Sequence, residues 1–333
     1  MRTTTLLTDI RIGQSETWQR NTDYIGQLRI PVLKPLESLS KNAALAPFFN
    51  LLRFLFYKKY YDVLINANLR TAQLVALVRR ILGLSFPRQI ILELMLDEAR
   101  DDVFWRIKRT IQSFIFKKVD LIFVSSRSET AAYSERLRLP KGRIRFLPFH
   151  TNVLEPRTVQ GKGGYFLSAG RTGRDFEVLA KAIKDLSCEV VIVSDEDSVK
   201  GVELPPNVKL LLNISYPKYL EILADCHAVI VPLKRLVKST GQVVILEAMA
   251  LGKPVIATET VGTIDYIQSG VNGILVPPDD SNTLERAISQ LMADRNLCNR
   301  LSVNALKSVQ DLHTFEIYVS TILTAARDLA PSV

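Results

Sequence analysis

The chain has 333 residues, 47% of them hydrophobic and 23% charged, with a net charge of +9. That composition is ordinary for two folded domains with sizeable cores and excludes a disordered chain. The start, MRTTTLLTDIRIGQ, has neither the apolar stretch nor the cleavage site of an export signal, and no run nears the roughly 20 apolar residues that span a bilayer, so the expected location is the cytoplasm.

Cys188, Cys226 and Cys298 are far apart in apolar surroundings with no C-x-x-C pair, which argues against a disulfide framework or a zinc site. Charge separates the two halves of the chain. Residues 1–150 hold 25 Lys and Arg against 13 Asp and Glu, a net +12, whereas residues 151–333 hold 18 against 21, a net −3. A basic half suits nucleic acid, anionic lipid or a phosphorylated substrate. Nucleic acid is the weakest of these, because the positive residues are scattered and no helix-turn-helix, zinc finger or aromatic RNA-binding signature is present.

In chain order, the first informative segment is AALAPFFNLLRFLFYKKYYDV (43–63), where Phe48, Phe49, Leu52, Leu55 and Phe56 recur at helical spacing. Arg53, Lys58 and Lys59 lie among Tyr57, Tyr60 and Tyr61, the mixture of cations and interfacial aromatics that a membrane-surface helix carries. A core-packed amphipathic helix with a solvated basic end fits the same periodicity, and both readings stand at this point. Apolar runs at 62–67, 88–94, 119–126 and 143–149 then alternate with helical patterns near 69–83, 101–118 and 127–138. That is the rhythm of βαβ units. HTNVLEPRTVQGKGG (150–164) has turn formers and no period, which marks a linker. A second series follows, with strands in YFLSAG, EVVIVSD, VKLLLNI, AVIVPL, PVIATE and GILVPP and helices near 175–186, 216–226, 242–251, 281–293 and 296–310. The expected fold is α/β, two Rossmann-like parallel-sheet domains facing across a cleft.

Open α/β sheets bind ligands beyond the carboxyl ends of their strands, beside helix N-termini that favour anions. Two such places stand out. FLSAGRTGRD offers Gly170, then Arg171 and Arg174 around Gly173, with always-charged forks that suit phosphate oxygens. STGQVVILEAMA offers Ser239, Thr240, Gly241 and Gln242 where a helix begins, and then Glu247 inside an otherwise apolar run. A lone acid there either pairs with a neighbouring Arg or Lys or clamps a diol such as ribose. Asp195-x-Asp197 ends the strand EVVIVSD and reads as a solvated loop end rather than a metal site, while His150 and His227 read as structural.

The run ILEAMALGKPVIATETVGTIDYIQSGVNGILVPPDD (245–280), with FLSAGRTGRD and AVIVPL, resembles the donor domain of the family 4 retaining glycosyltransferases of GT-B fold. The likeness is strong over 164–310, weaker over 119–153 and faint before residue 88. It implies an acceptor-binding domain over 1–152, a linker over 153–164, a nucleotide-sugar donor domain over 165–312 and a C-terminal helix, 313–333, crossing back to the first domain. The second Glu of the family's Glu-x7-Glu motif, which holds the donor ribose, falls on Glu247, and the diphosphate-binding cations fall on Arg171 and Arg174. The first Glu falls on Ser239. The family's first-domain His has no match, its region offering Glu93 and Asp97 instead, and the glycine loop near the first strand is reduced to Ile12-Gly13-Gln14.

The implied function is retaining transfer of a sugar from a nucleotide diphosphate donor to a glycan or lipid-linked acceptor, in cell-surface polysaccharide or glycolipid synthesis. No metal or other cofactor is expected, and an anionic membrane surface is a partner if the 43–63 segment follows its lipid reading. A non-catalytic partner subunit and a nucleotide-sugar epimerase are the alternatives.

Overall fold

The computed structural model describes residues 4–10, 15–30, 42–97 and 102–331. Its contacts divide the chain into two units, residues 1–147 with 316–333, and residues 148–315. In the first unit, strands β1 (Leu6–Thr8), β2 (Thr22–Tyr24), β3 (Val63–Asn66), β4 (Arg88–Ile91), β5 (Leu121–Val124) and β6 (Ile144–Phe146) form one sheet. Its order is β2-β1-β3-β4-β5-β6, and every pairing is parallel. Between the strands run α1 (Glu16–Asn21), α2 (Ala46–Tyr57), α3 (Leu69–Ile81), α4 (Val103–Phe116) and α5 (Arg127–Leu137).

All of these helices but α2 begin where the sequence supplies a side-chain acceptor for their first N–H groups. Asn68, Asp102 and Ser126 cap α3, α4 and α5 by accepting from the backbone N–H of Thr71, Trp105 and Ser128. The strands β3 and β5 are wholly buried, as parallel strands covered on both faces must be. β1 is the first strand that precedes Ile12-Gly13-Gln14, whereas β2 and α1 were not expected. β2 is three half-exposed residues, Thr-Asp-Tyr, with no alternation to reveal it.

The second unit repeats the pattern with β7 (Phe166–Ala169), β8 (Val190–Ser194), β9 (Val208–Leu212), β10 (Ala228–Val231), β11 (Val255–Thr258) and β12 (Ile274–Val276), in the order β12-β11-β10-β7-β8-β9, all parallel. Its helices are α6 (Phe176–Ile183), α7 (Glu196–Val199), α8 (Tyr216–Asp225), α9 (Gln242–Ala250), α10 (Ser281–Ala293) and α11 (Arg295–Leu312); α12 (Phe315–Leu329) belongs to the first unit from Glu316 onward. Helix α9 is apolar but for Gln242 and Glu247 and is correspondingly buried from Val244 to Ala250, in the cluster that packs Ile245 and Met249 against Val231, Val255 and Tyr266.

The irregular stretch 150–164 runs along the second unit. Arg157 and Val159 donate their N–H groups to the carbonyls of Ala250 and Leu251, and the buried Lys253 ammonium donates to Val159 O (2.8 Å) and Cys226 O (3.0 Å). Gly161 is needed there, because a Cβ would come within 2.3 Å of Asp225 O.

Candidate functional site

In the second sheet β7 and β10 are neighbours whose following chains diverge, so the loops after them open at a topological switch point. The loop after β7 holds Gly170 at φ 117°, a conformation that side chains rarely adopt, and a Cβ there would lie 2.2 Å from Arg174 Nη2. Arg174 therefore folds back over a residue that only glycine can be. Its Nε donates to Ala169 O at 2.8 Å and its Nη1 to Thr172 O at 3.2 Å. The guanidinium is buried, and among the described residues it has no acidic partner. Burial pulls its pKa down to about 10, so it keeps its charge at neutral pH. A buried cation without a counter-charge is costly to fold, and its charge can be offset by a bound anion.

Arg171 is more than half exposed, with Nε 3.4 Å from Asp195 Oδ2 and Nη2 3.5 Å from Asn213 Oδ1. Asp195 caps α7 by accepting from Ser198 N, and that hydrogen bonding holds its carboxyl below the usual range. Asp195 is thus a helix cap and an arginine partner. Among the described residues no group of three or more His, Cys, Asp or Glu side chains comes together as a metal cluster.

The loop after β10 brings Ser239, Thr240 and Gly241 to the start of α9. Gly241 is the cap residue, at φ 94° with no side-chain acceptor, so the first N–H groups of α9 have no side-chain cap. Gln242, the first helical residue, is 7% exposed, and its Nε2 is buried with no hydrogen-bond partner. The two loops meet: a Cβ on Gly173 would stand 3.4 Å from Thr240 Oγ1, and the N–H of Lys234 donates to Gly173 O. The loop after β11 closes on the same point, since a Cβ on Gly262 would reach 2.5 Å from Thr240 N. Positive charge, an unsatisfied amide donor and a helix N-terminus therefore converge.

Glu247 departs from expectation. Rather than standing open toward a ligand or pairing with a cation, its carboxylate is fully buried among neutral donors. Oε1 accepts from Asn152 Nδ2 (2.9 Å) and Tyr216 OH (2.8 Å), and Oε2 accepts from Tyr219 OH (2.9 Å). A carboxylate in an apolar helix must find hydrogen bonds, and two tyrosines and an asparagine supply them. Burial, and after it the Glu247 charge, raises the pKa of both tyrosines. Tyr216 is the outermost of the three at 46% exposed. Nothing local in sequence points to these partners, because Asn152 is 95 residues from Glu247.

The first-unit candidates lie apart from one another. Glu93, at φ 53° just beyond β4, accepts from Tyr318 OH (2.5 Å), and burial raises its pKa. Asp97 is exposed and paired with Lys108 Nζ at 2.7 Å. Ile12-Gly13-Gln14 lies outside the described residues. At the switch point of this sheet, between β1 and β3, stands a residue the sequence did not single out, Asp9. Its carboxylate accepts from Asn66 Nδ2 (2.9 Å), Ala67 N (2.7 Å) and Asn68 N (3.4 Å), and burial nevertheless pushes it up to about 6. Arg53 is corrected outright. It is 8% exposed and donates to Asn50 Oδ1, so it is no surface cation; the inner face of α2, with Phe49, Leu51 and Phe54, packs into the core and carries Arg53 with it. Lys59 remains exposed, over the Tyr60 ring, while Lys58 Nζ donates to Leu55 O. No helix among the described residues is long and apolar enough to cross a membrane.

Residues 158–308, which hold both loops and helix α9 of the second-unit site, match the family described as "Glycosyl transferases group 1". Sucrose-phosphate synthase of Zea mays is 35% identical over 80 residues, 24% of this chain but 7% of that protein, so the chain spans a small part of this relative. Among solved structures, a glycosyltransferase from Rickettsia africae superposes with a TM-score of 0.71 over 99% of both chains at 14% identity. Anabaena HepE in complex with UDP superposes with a TM-score of 0.70, covering 97% of this chain and 100% of that one at 13% identity. The fold is GT-B, two Rossmann-like units with parallel sheets.

Proposed function

We propose that the chain is a retaining glycosyltransferase that takes a sugar from a nucleoside diphosphate donor, with UDP as the first nucleotide to test. The observation that carries this reading is Arg174, a buried guanidinium with no acidic partner among the described residues, held in the loop that meets the uncapped start of α9. The structures of Anabaena HepE with UDP and with UDP-glucose support a nucleotide-sugar donor. Arg171, Arg174, the N–H groups after Gly241 and Gln242 Nε2 would take the diphosphate and stabilise the charge it gains on leaving, the role otherwise given to a metal. Glu247 would hold the ribose after Tyr216 yields its place on Oε1. The acceptor is a glycan or lipid-linked glycan bound by the basic first unit at the cytoplasmic face of a membrane, in cell-surface polysaccharide or glycolipid synthesis.

Ser239 in the position of the family's first motif carboxylate favours a second reading, a donor-binding subunit without turnover. Titration calorimetry with UDP and with uridine tests the first. Arg174→Ala should weaken UDP by about 2–4 kcal/mol and leave uridine unchanged. Equal losses for both ligands, or none, would remove the diphosphate assignment. Incubation with a panel of nucleotide sugars and a lipid extract then separates transfer, isomerisation and inertness.

A further inference from the structure

Helix α4 has two apolar faces. One is internal: Trp105, Ile115 and Phe116 are buried, and Ser113 Oγ donates to Leu137 O to hold α4 on α5. The other is external. Val103, Phe104, Ile107, Ile111 and Phe114 are all between 46% and 86% exposed. At about 100° per residue these five fall on one arc roughly 100° wide, the width of stripe that a helix ordinarily buries. Ile81 and Leu82, at the end of α3, add exposed apolar surface next to Arg80 in sequence.

Beside the stripe is a cleft of about 180 Å³ lined by Arg80, Arg109, Lys117, Arg136 and Arg138, with no acidic residue in its wall. None of these five cations forms an ion pair among the described residues. Arg80 lies over the Phe114 ring at 4.1 Å, joining the cleft to the stripe. Arg136 donates from Nη1 to the Asp97 carbonyl, but its Nε and Nη2, like Arg80 Nε, are buried without a hydrogen-bond partner. Donors left bare in a wall of like charges call for an anion with several oxygens.

We propose that this face of the first unit docks on an anionic phospholipid membrane, the α4 stripe entering the interface while the five cations take headgroup phosphates. A water-soluble anion would account for the cleft and not for the stripe, and an apolar partner would account for the stripe and not for the charges. A membrane surface supplies both. The inference deepens the acceptor half of the proposed function and is independent of the donor site.

The test is cosedimentation with vesicles of phosphatidylglycerol and phosphatidylcholine in equal parts, against phosphatidylcholine alone. The wild type should pellet with the anionic vesicles at low salt and be released at high salt. Phe104→Ser with Ile111→Ser, and separately Arg109→Gln with Lys117→Gln, should each lower partitioning about tenfold or more while melting as the wild type does. Lys58→Gln with Lys59→Gln, on the other aromatic and basic surface, should change little. A wild type that ignores anionic vesicles, α4 variants that bind as it does, or binding lost only with the α2 lysines would overturn the proposal. So would a concentration-dependent dimer that Phe104→Ser with Ile111→Ser abolishes. UDP affinity, measured on the same samples, reads the donor site separately: intact UDP binding without vesicle binding sinks this inference alone.

Discussion

Tyr216 and Glu247 together set how the donor site can work. Tyr216 sits at the first position of α8, partly in solvent, and occupies one lone pair of Glu247 Oε1, while Asn152 and Tyr219 hold the rest of the carboxylate from within. If ribose replaces Tyr216, that tyrosine competes with the nucleotide. Tyr216→Phe should then raise UDP affinity by a fewfold, because a net hydrogen bond of about 1 kcal/mol no longer has to be broken first. Glu247→Gln should weaken UDP by about 1.5–3 kcal/mol. Calorimetry giving weaker binding for Tyr216→Phe would make the hydroxyl a ligand rather than a competitor. The acid was conspicuous in sequence because every neighbour in α9 is apolar, but its three donors come from two other segments and were not legible.

At the scale of elements, the strand-to-helix turns carry the chemistry, and glycine makes them possible. Gly170 is held at φ 117° with the Arg174 guanidinium packed where a side chain would start. Gly170→Ala should cost about 1–3 kcal/mol of stability through backbone strain and displace Arg174, so thermal melting and UDP affinity should fall together. A variant that melts earlier yet binds UDP unchanged would show that Arg174 is not positioned by this turn. The alternation of strands and helices was readable because apolar runs of strand length recur between helical patterns. β2 escaped because a three-residue element, Thr22–Tyr24, is specified by its neighbours in the sheet. Helix α2 shows the limit of periodicity: the same pattern fits a membrane or a core, and while Phe49, Phe54 and Arg53 are buried, Phe48, Phe56 and Tyr60 stay exposed.

For the whole molecule, the two units carry pH responses of opposite sign. In the first, Asp9 is raised to about 6 from an ordinary 3.8, so the unfolded chain ionises first and stability falls as pH rises through about 4 to 6. The full penalty, about 3 kcal/mol, is in place above that window. In the second, His150 and His313 are held below 6.5 by burial, so their neutral forms are favoured on folding and stability falls as pH drops below the ordinary histidine value. Thermal unfolding between pH 4 and 8 should show both arms. Asp9→Asn should stabilise the protein at pH 7 and leave the acid-side loss from the histidines in place. An unchanged profile for Asp9→Asn would mean that its three N–H donors outweigh burial.

The sequence by itself determined the two βαβ series, the glycine turns and the residues that resemble a donor site, because these depend on local period, on φ and on motif spacing. Only the tertiary structure decided which of the charged residues are uncompensated. Arg171, Arg174 and Arg53 look equivalent as letters, yet one is an exposed partner of Asp195, one is buried with no acid among the described residues, and one is buried on the inner face of α2. The same is true of α4, whose outward stripe and adjoining basic cleft are assembled from three helices. Charge and burial are properties of surroundings, and surroundings are set by contacts between residues far apart in the chain.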